Sequence, residues 1–96
     1  MPTYDYWPRF LREYHRLTPQ QRTAFLVSVK KLVHDLTVND IRAGLRVEPV
    51  IGHPDVYEMT WADDGRATFT FGKPVRPGHA HIIWRRIGTH DIFDEP

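Results

Sequence analysis

VYEMTWADDGRATFTF, residues Val56 to Phe71, is a pair of alternating runs around Asp63-Asp64-Gly65, and its register decides how the chain folds. A two-residue Asp64-Gly65 loop would set Trp61 opposite Thr68 and mix apolar with polar side chains on each face. A three-residue loop with Gly65 in the left-handed conformation instead pairs Trp61 with Ala67, Met59 with Phe69 and Tyr57 with Phe71. That register keeps one apolar face together, which is what fixes strand pairing where one face is buried. The opposite face then carries Glu58, Thr60, Arg66, Thr68 and Thr70.

Upstream, the period is also two. Leu45, Val47 and Ile51 point one way and Arg46, Glu48 and Val50 the other, while Gly52-His53-Pro54-Asp55 makes a turn. Pro49 has no N–H for a ladder, so this strand is expected at an edge or with a bulge. Further back, Phe25, Leu26, Val29, Leu32, Val33 and Leu36 recur at helical spacing. Thr18, Pro19 and Gln21 supply the N-cap, first-turn proline and capping-box partner of that helix. A preceding helix from Pro8 places Phe10, Leu11, Tyr14 and Leu17 on one face and Arg9, Arg12, Glu13 and Arg16 on the other. Before it, Thr3 to Trp7 reads as a short strand. The expected fold is α+β: an αα-hairpin packed on one face of a three- to four-stranded antiparallel sheet, as a single domain over residues 1–96.

Downstream, the Pro/Gly loop at residues 72–78 leads to the last strand and its tail, HIIWRRIGTHDIF, His81 to Phe93. An apolar strand that ends in Arg, Gly, His and an aromatic suits the rim of an anion site. On a regular strand Arg85 and Arg86 face opposite ways, and parity with His81 puts Arg85 on the polar face. Trp61, Trp84, Phe69 and Phe71 read as core, and His15 and His34 as solvated helix residues.

The totals narrow the function classes. Ninety-six residues with 41% hydrophobic and 26% charged content make an ordinary globular domain. There is no cysteine, hence no disulfide, thiolate metal site or cysteine nucleophile. No apolar run approaches the roughly 20 residues that span a bilayer, and the N-terminus lacks the apolar stretch of a signal peptide, so a cytoplasmic protein without membrane association is expected. Net charge is +1, yet ten of the thirteen basic residues are arginine, the side chain that forks onto phosphate. His79 and His81 have a spacing that allows metal binding, but no third ligand accompanies them, so neither a metal nor another cofactor is expected.

The polar sheet face gathers carboxylates, arginines and a histidine. A group that titrates near neutrality, a proton acceptor and cations for a developing negative charge are the parts needed to cleave RNA by acid/base chemistry. An open face also suits an extended single strand whose bases stack on aromatics.

The order helix, helix, antiparallel strands, with Glu48-Pro49, Arg66 after the hairpin loop and Arg85 five residues before His90, resembles the RelE/ParE toxin superfamily of bacterial type II toxin–antitoxin systems. The likeness spans nearly the whole chain, and the tail Ile87 to Phe93 resembles members with a C-terminal catalytic histidine. The resemblance implies an mRNA endonuclease that blocks translation, with Glu48 as general base, Arg66 and Arg85 on the phosphate and His90 as acid/base. It further implies RNA contacts from Arg46, His81, Phe93 and Lys73, and as partners a cognate antitoxin and mRNA, free or on the ribosome. The lysines that some ribosome-dependent members carry on the second strand are absent here. Two other readings stay open: a ParE-like inhibitor of DNA gyrase, which does not need His90, and a nucleic-acid binder without turnover.

Overall fold

The computed structural model describes residues 2–96. The chain runs β1 (Thr3–Tyr6), α1 (Pro8–Arg16), α2 (Pro19–Thr37), a 3-10 turn (Ala43–Leu45), β2 (Glu48–Val50), β3 (His53–Thr60), β4 (Arg66–Phe71), β5 (His81–Gly88) and a second 3-10 turn (His90–Asp94). The five strands form one sheet in the order β1-β5-β4-β3-β2. This corrects the expected sheet: it has five strands and is mixed, because β1 joins the far edge parallel to β5, from Thr3 beside His81 to Tyr6 beside Trp84. A strand that feeds directly into a helix at Pro8 returns to the sheet only through the rest of the chain, and the hydrophobic pattern of four residues cannot announce that long-range pairing.

The αα-hairpin forms as its caps dictate. Thr18 Oγ1 accepts from the Gln21 N–H at 3.2 Å, and Gln21 Oε1 accepts from the Thr18 N–H at 2.8 Å. Phe10, Phe25 and Leu32 meet Met59, Ala67, Phe69, Ile82 and Trp84 in one core. The Phe25 and Trp84 rings stand edge-on with centroids 5.2 Å apart. The buried stripe of α2 is rotated from the expected one: Phe25, Ser28, Leu32 and Asp35 face inward, while Leu26 is half exposed. The two polar members of that stripe explain why apolar periodicity misplaced it.

The hairpin keeps the expected faces but not the expected register. Tyr57 pairs with Phe69, Glu58 with Thr68, Met59 with Ala67 and Thr60 with Arg66. The slip is two residues, which leaves every side chain on its face. It lengthens the loop to Trp61–Gly65, closed by Trp61 N–H to Gly65 O at 3.1 Å. Gly65 is not among the left-handed residues of the chain. It is glycine because the Trp61 indole lies against it, with ring carbons 2.6 Å from where a Cβ would stand. Phe71, expected in the core, is 44% exposed at the strand end.

Pro49 acts as expected on both counts: β2 is an edge strand, and its register breaks between Pro49 and Val50. That break buries Val50 and turns Ile51 fully outward, reversing their expected sides. Among the described residues no helix is long and apolar enough to cross a membrane.

Candidate active site

Glu48 on β2 and Glu58 on β3 are directly paired across the ladder, which puts their Cα atoms about 5 Å apart. Burial, and then the neighbouring Glu48 carboxylate, push the Glu58 carboxyl above its ordinary value; Arg66, His90 and Arg46 act on it in the opposite sense. Those five side chains are therefore one electrostatic group, drawn from an edge strand, the central hairpin, a 3-10 turn and the C-terminal segment. Arg46 reaches it from a left-handed backbone (φ 51°) that closes the turn Ala43–Leu45, rather than from a regular strand. That conformation is unfavourable for a side chain with a Cβ.

Arg66 follows the loop and folds back over it. Its Nη1 donates to the carbonyls of Ala62, Asp63 and Gly65 at 3.1, 3.2 and 2.9 Å. The guanidinium is thus fixed through one nitrogen, with Nε and Nη2 making no hydrogen bond among the described residues. His90 begins the final 3-10 turn, which Thr89 caps through its side chain. Its Nδ1 lies 2.6 Å from Asp64 Oδ1 in the hairpin loop, a partner the sequence did not disclose. The Phe93 ring stands edge-on to the imidazole, centroids 5.9 Å apart. Both His90 and Asp64 are exposed, so the site is a rim open to solvent rather than a pocket.

The two arginines of β5 overturn the parity argument. The ladder to β4 passes from Thr68–Arg86 to Phe69–Trp84, so Arg85 is the extra residue of a bulge. Arg86 is buried: it forms an ion pair with Glu13 of α1 at 2.9 Å and donates to the carbonyls of Glu95 and Ile92. Glu13, expected on the solvated face of its helix, also accepts from the Ile87 N–H at 3.4 Å. It stands in for β1, whose pairing with β5 has ended at Trp84. The Arg85 guanidinium stacks on Trp7, 4.0 Å from the ring centre, and its Nε donates to the Pro96 main-chain oxygen at 3.0 Å. Thr68 Oγ1, also expected on an open face, is buried and donates to the same oxygen at 3.1 Å. The C-terminal segment thus lies across the middle of the polar face, with Arg85 on its far side from Glu58.

His81 and Lys73 are not brought to this group. His81 starts β5 and its Nδ1 is 2.7 Å from the Thr3 hydroxyl. Seven residues of strand separate it from Gly88, roughly 23 Å at the usual rise. Lys73 lies exposed in the loop at that same far end, just after Phe71, which pairs with Ile82. The residues sequence reasoning undervalued are Glu58, given only as one of the polar-face residues, and Asp64, given only as part of a turn. Ladder position and loop length select both, and neither leaves a compositional signal.

No family model matches the chain, and no curated protein matches it. Solved structures do. YafQ from E. coli strain BL21(DE3) superposes with a TM-score of 0.63 over 95% of this chain and 96% of its own, at 15% identity. The toxin in the intact E. coli RelBE toxin-antitoxin complex gives 0.61 over 93% and 96%, at 22% identity. The YoeB/ParE toxin from Agrobacterium tumefaciens gives 0.65 over 92% and 98%, at only 8% identity. Likeness that spans both chains end to end while so few residues agree is likeness of backbone architecture, and in that architecture this chain has the RelE/ParE toxin fold.

Proposed function

We propose that this protein is the toxin of a type II toxin–antitoxin pair and cleaves mRNA with its own acid and base groups. The observation that carries the reading is the Glu48–Glu58 pair facing Arg66, Arg46 and His90 on an open sheet edge. A carboxylate made more basic by burial and by a like charge is a better proton acceptor than an ordinary one. In the proposed step Glu58, kept basic by Glu48, takes the proton of a ribose 2′-OH. The 2′ oxygen attacks the adjacent phosphorus, and the P–O5′ bond breaks. His90, oriented by Asp64, gives its proton to the departing 5′ oxygen. The products are a 2′,3′-cyclic phosphate and a 5′-OH end. Arg66 and Arg46 offset the charge that builds on the phosphoryl oxygens. Phe93 beside His90 offers a ring to a flanking base.

The resemblance in fold to the toxins of the RelBE and DinJ-YafQ complexes supports an antitoxin as partner. The reading is tested by inducing the chain in a bacterial host and mapping new 5′ ends on transcripts, with His90→Ala and Arg66→Ala alongside. Growth arrest with new ends, both lost in the variants, is expected; purified His90→Ala should cleave on the order of a hundredfold more slowly or worse. Arrest that persists in His90→Ala without new ends would replace this reading with a gyrase-directed one.

A further inference from the structure

Between α2, the turn Ala43–Leu45 and the loop joining β3 to β4 lies a cleft of about 410 Å³, beside the reaction centre and sharing Arg46 and Arg66 with it. Its wall carries Lys31, Arg42, Arg46 and Arg66 against one acid, Asp63. Arg42 is already spent: its Nε and Nη2 both bond the buried Asp35 carboxylate, at 2.7 and 2.8 Å. Lys31 and Arg46 have no ion pair among the described residues, and Arg66 offers Nε and Nη2. Three cations therefore line the cleft against one acid of its own wall, two of them also facing Glu58 at its rim.

The same wall holds a polar group with nothing to bond. Ser28 sits on the buried stripe of α2, 8% exposed, and lines the cleft. Its hydroxyl makes no hydrogen bond among the described residues, although Thr23 and Thr37 on the same helix both donate back to the carbonyl four residues earlier. The Ser28 hydroxyl opens to the cleft, and on the same wall Thr60 Oγ1 and Trp61 Nε1 are buried with no hydrogen-bond partner among the described residues, which is costly. A ligand oxygen entering the cleft answers such groups. Cations around an unanswered hydroxyl describe a site for an oxyanion.

We propose that this cleft binds a backbone phosphate of the RNA adjoining the cleaved one, gripped by Lys31 and the outer edge of Arg46 and hydrogen-bonded by Ser28. The proposal rests on the ribonuclease reading above. Arg46 and Arg66 line the cleft and also act on Glu58, so a strand seated at the reaction centre passes into the cleft without leaving cationic surface. That continuity favours RNA over an acidic peptide, whose charges would have no reason to follow the Glu58 site. Lys31 is thereby a binding residue that makes no contact with the reacting atoms.

The test uses a fluorescent all-2′-deoxy analogue of a cleaved oligonucleotide, which lacks the attacking hydroxyl, in anisotropy titrations across salt. Wild type is compared with Lys31→Glu, Ser28→Ala and Lys30→Glu, the last on the neighbouring face of α2 and lining a different groove. Lys31→Glu should weaken binding about tenfold and lower the salt slope by about one, as loss of one phosphate contact does. Lys30→Glu should change affinity less than twofold. On cleavable RNA, Lys31→Glu should raise KM and leave kcat unchanged. Ser28→Ala should weaken binding a few-fold with the salt slope intact, and circular dichroism confirms that each variant is folded. Equal effects of Lys31→Glu and Lys30→Glu overturn the cleft while leaving the nuclease reading in place. So does a Lys31→Glu protein that binds RNA normally but loses an acidic partner peptide. Wild-type protein that neither binds nor cleaves RNA overturns both.

Discussion

Glu58 shows how one residue couples stability to chemistry. Its carboxyl is raised above the usual glutamate value, first by burial and then by Glu48. A carboxyl that holds its proton more tightly in the folded state adds stability that is complete below its unfolded pKa and is lost as pH rises through the folded one. Glu58→Gln should therefore raise the urea midpoint at pH 7, leave it nearly unchanged at pH 4, and flatten the slope between, while cutting RNA cleavage. Arg46 makes a second prediction at this scale. Its left-handed backbone is one that glycine adopts freely, so Arg46→Gly should gain about 0.5–1 kcal/mol of stability and weaken RNA binding. The opposite pairing, lost stability with intact binding, would show that the strain serves no binding role. His90, Arg66 and Glu48 were legible as candidates from residue type and position. Glu58 was not, because its distinction lies in standing opposite another carboxylate.

At the scale of elements, the two helices, their caps and the edge character of β2 could be read from spacing and from Pro49. The hairpin register could not be fixed to better than two residues, since a slip of two preserves the alternation that was used to choose it. What settles it is Trp61 lying on Gly65. Gly65→Ala would drive a methyl into the indole and should cost about 1–3 kcal/mol by overpacking, read as a lowered midpoint with unchanged m-value. The bulge at Arg85 was equally hidden, and with it the buried pair of Arg86 and Glu13, whose side chains are only 10% and 16% exposed. Glu13→Ala leaves the guanidinium with carbonyl partners alone and should cost about 3 kcal/mol. Arg86→Lys should not restore what the planar fork supplies.

For the molecule as a whole, the ion pair of Asp35 and Arg42 fastens the connection after α2 to that helix. The Arg42 guanidinium holds the Asp35 carboxyl down at about 2, from an ordinary 3.8. A depressed carboxyl contributes stability that is present above its unfolded pKa and lost as pH falls through the folded one, here between about 4 and about 2. Acid unfolding followed by circular dichroism should therefore begin at higher pH in Asp35→Asn than in wild type. The sheet also sets an order of events. β5 lies between β1 and β4, so Thr3 finds its partner only at His81. A pairing that spans 78 positions closes a long loop, and such contacts form late. While the chain is being made, β1 has no neighbour in the sheet until β5 has emerged. A domain arranged this way becomes competent in a single closing event after synthesis has passed β5, and an unfinished copy carries Glu48, Glu58 and Arg66 but neither His90 nor the strand that completes the sheet.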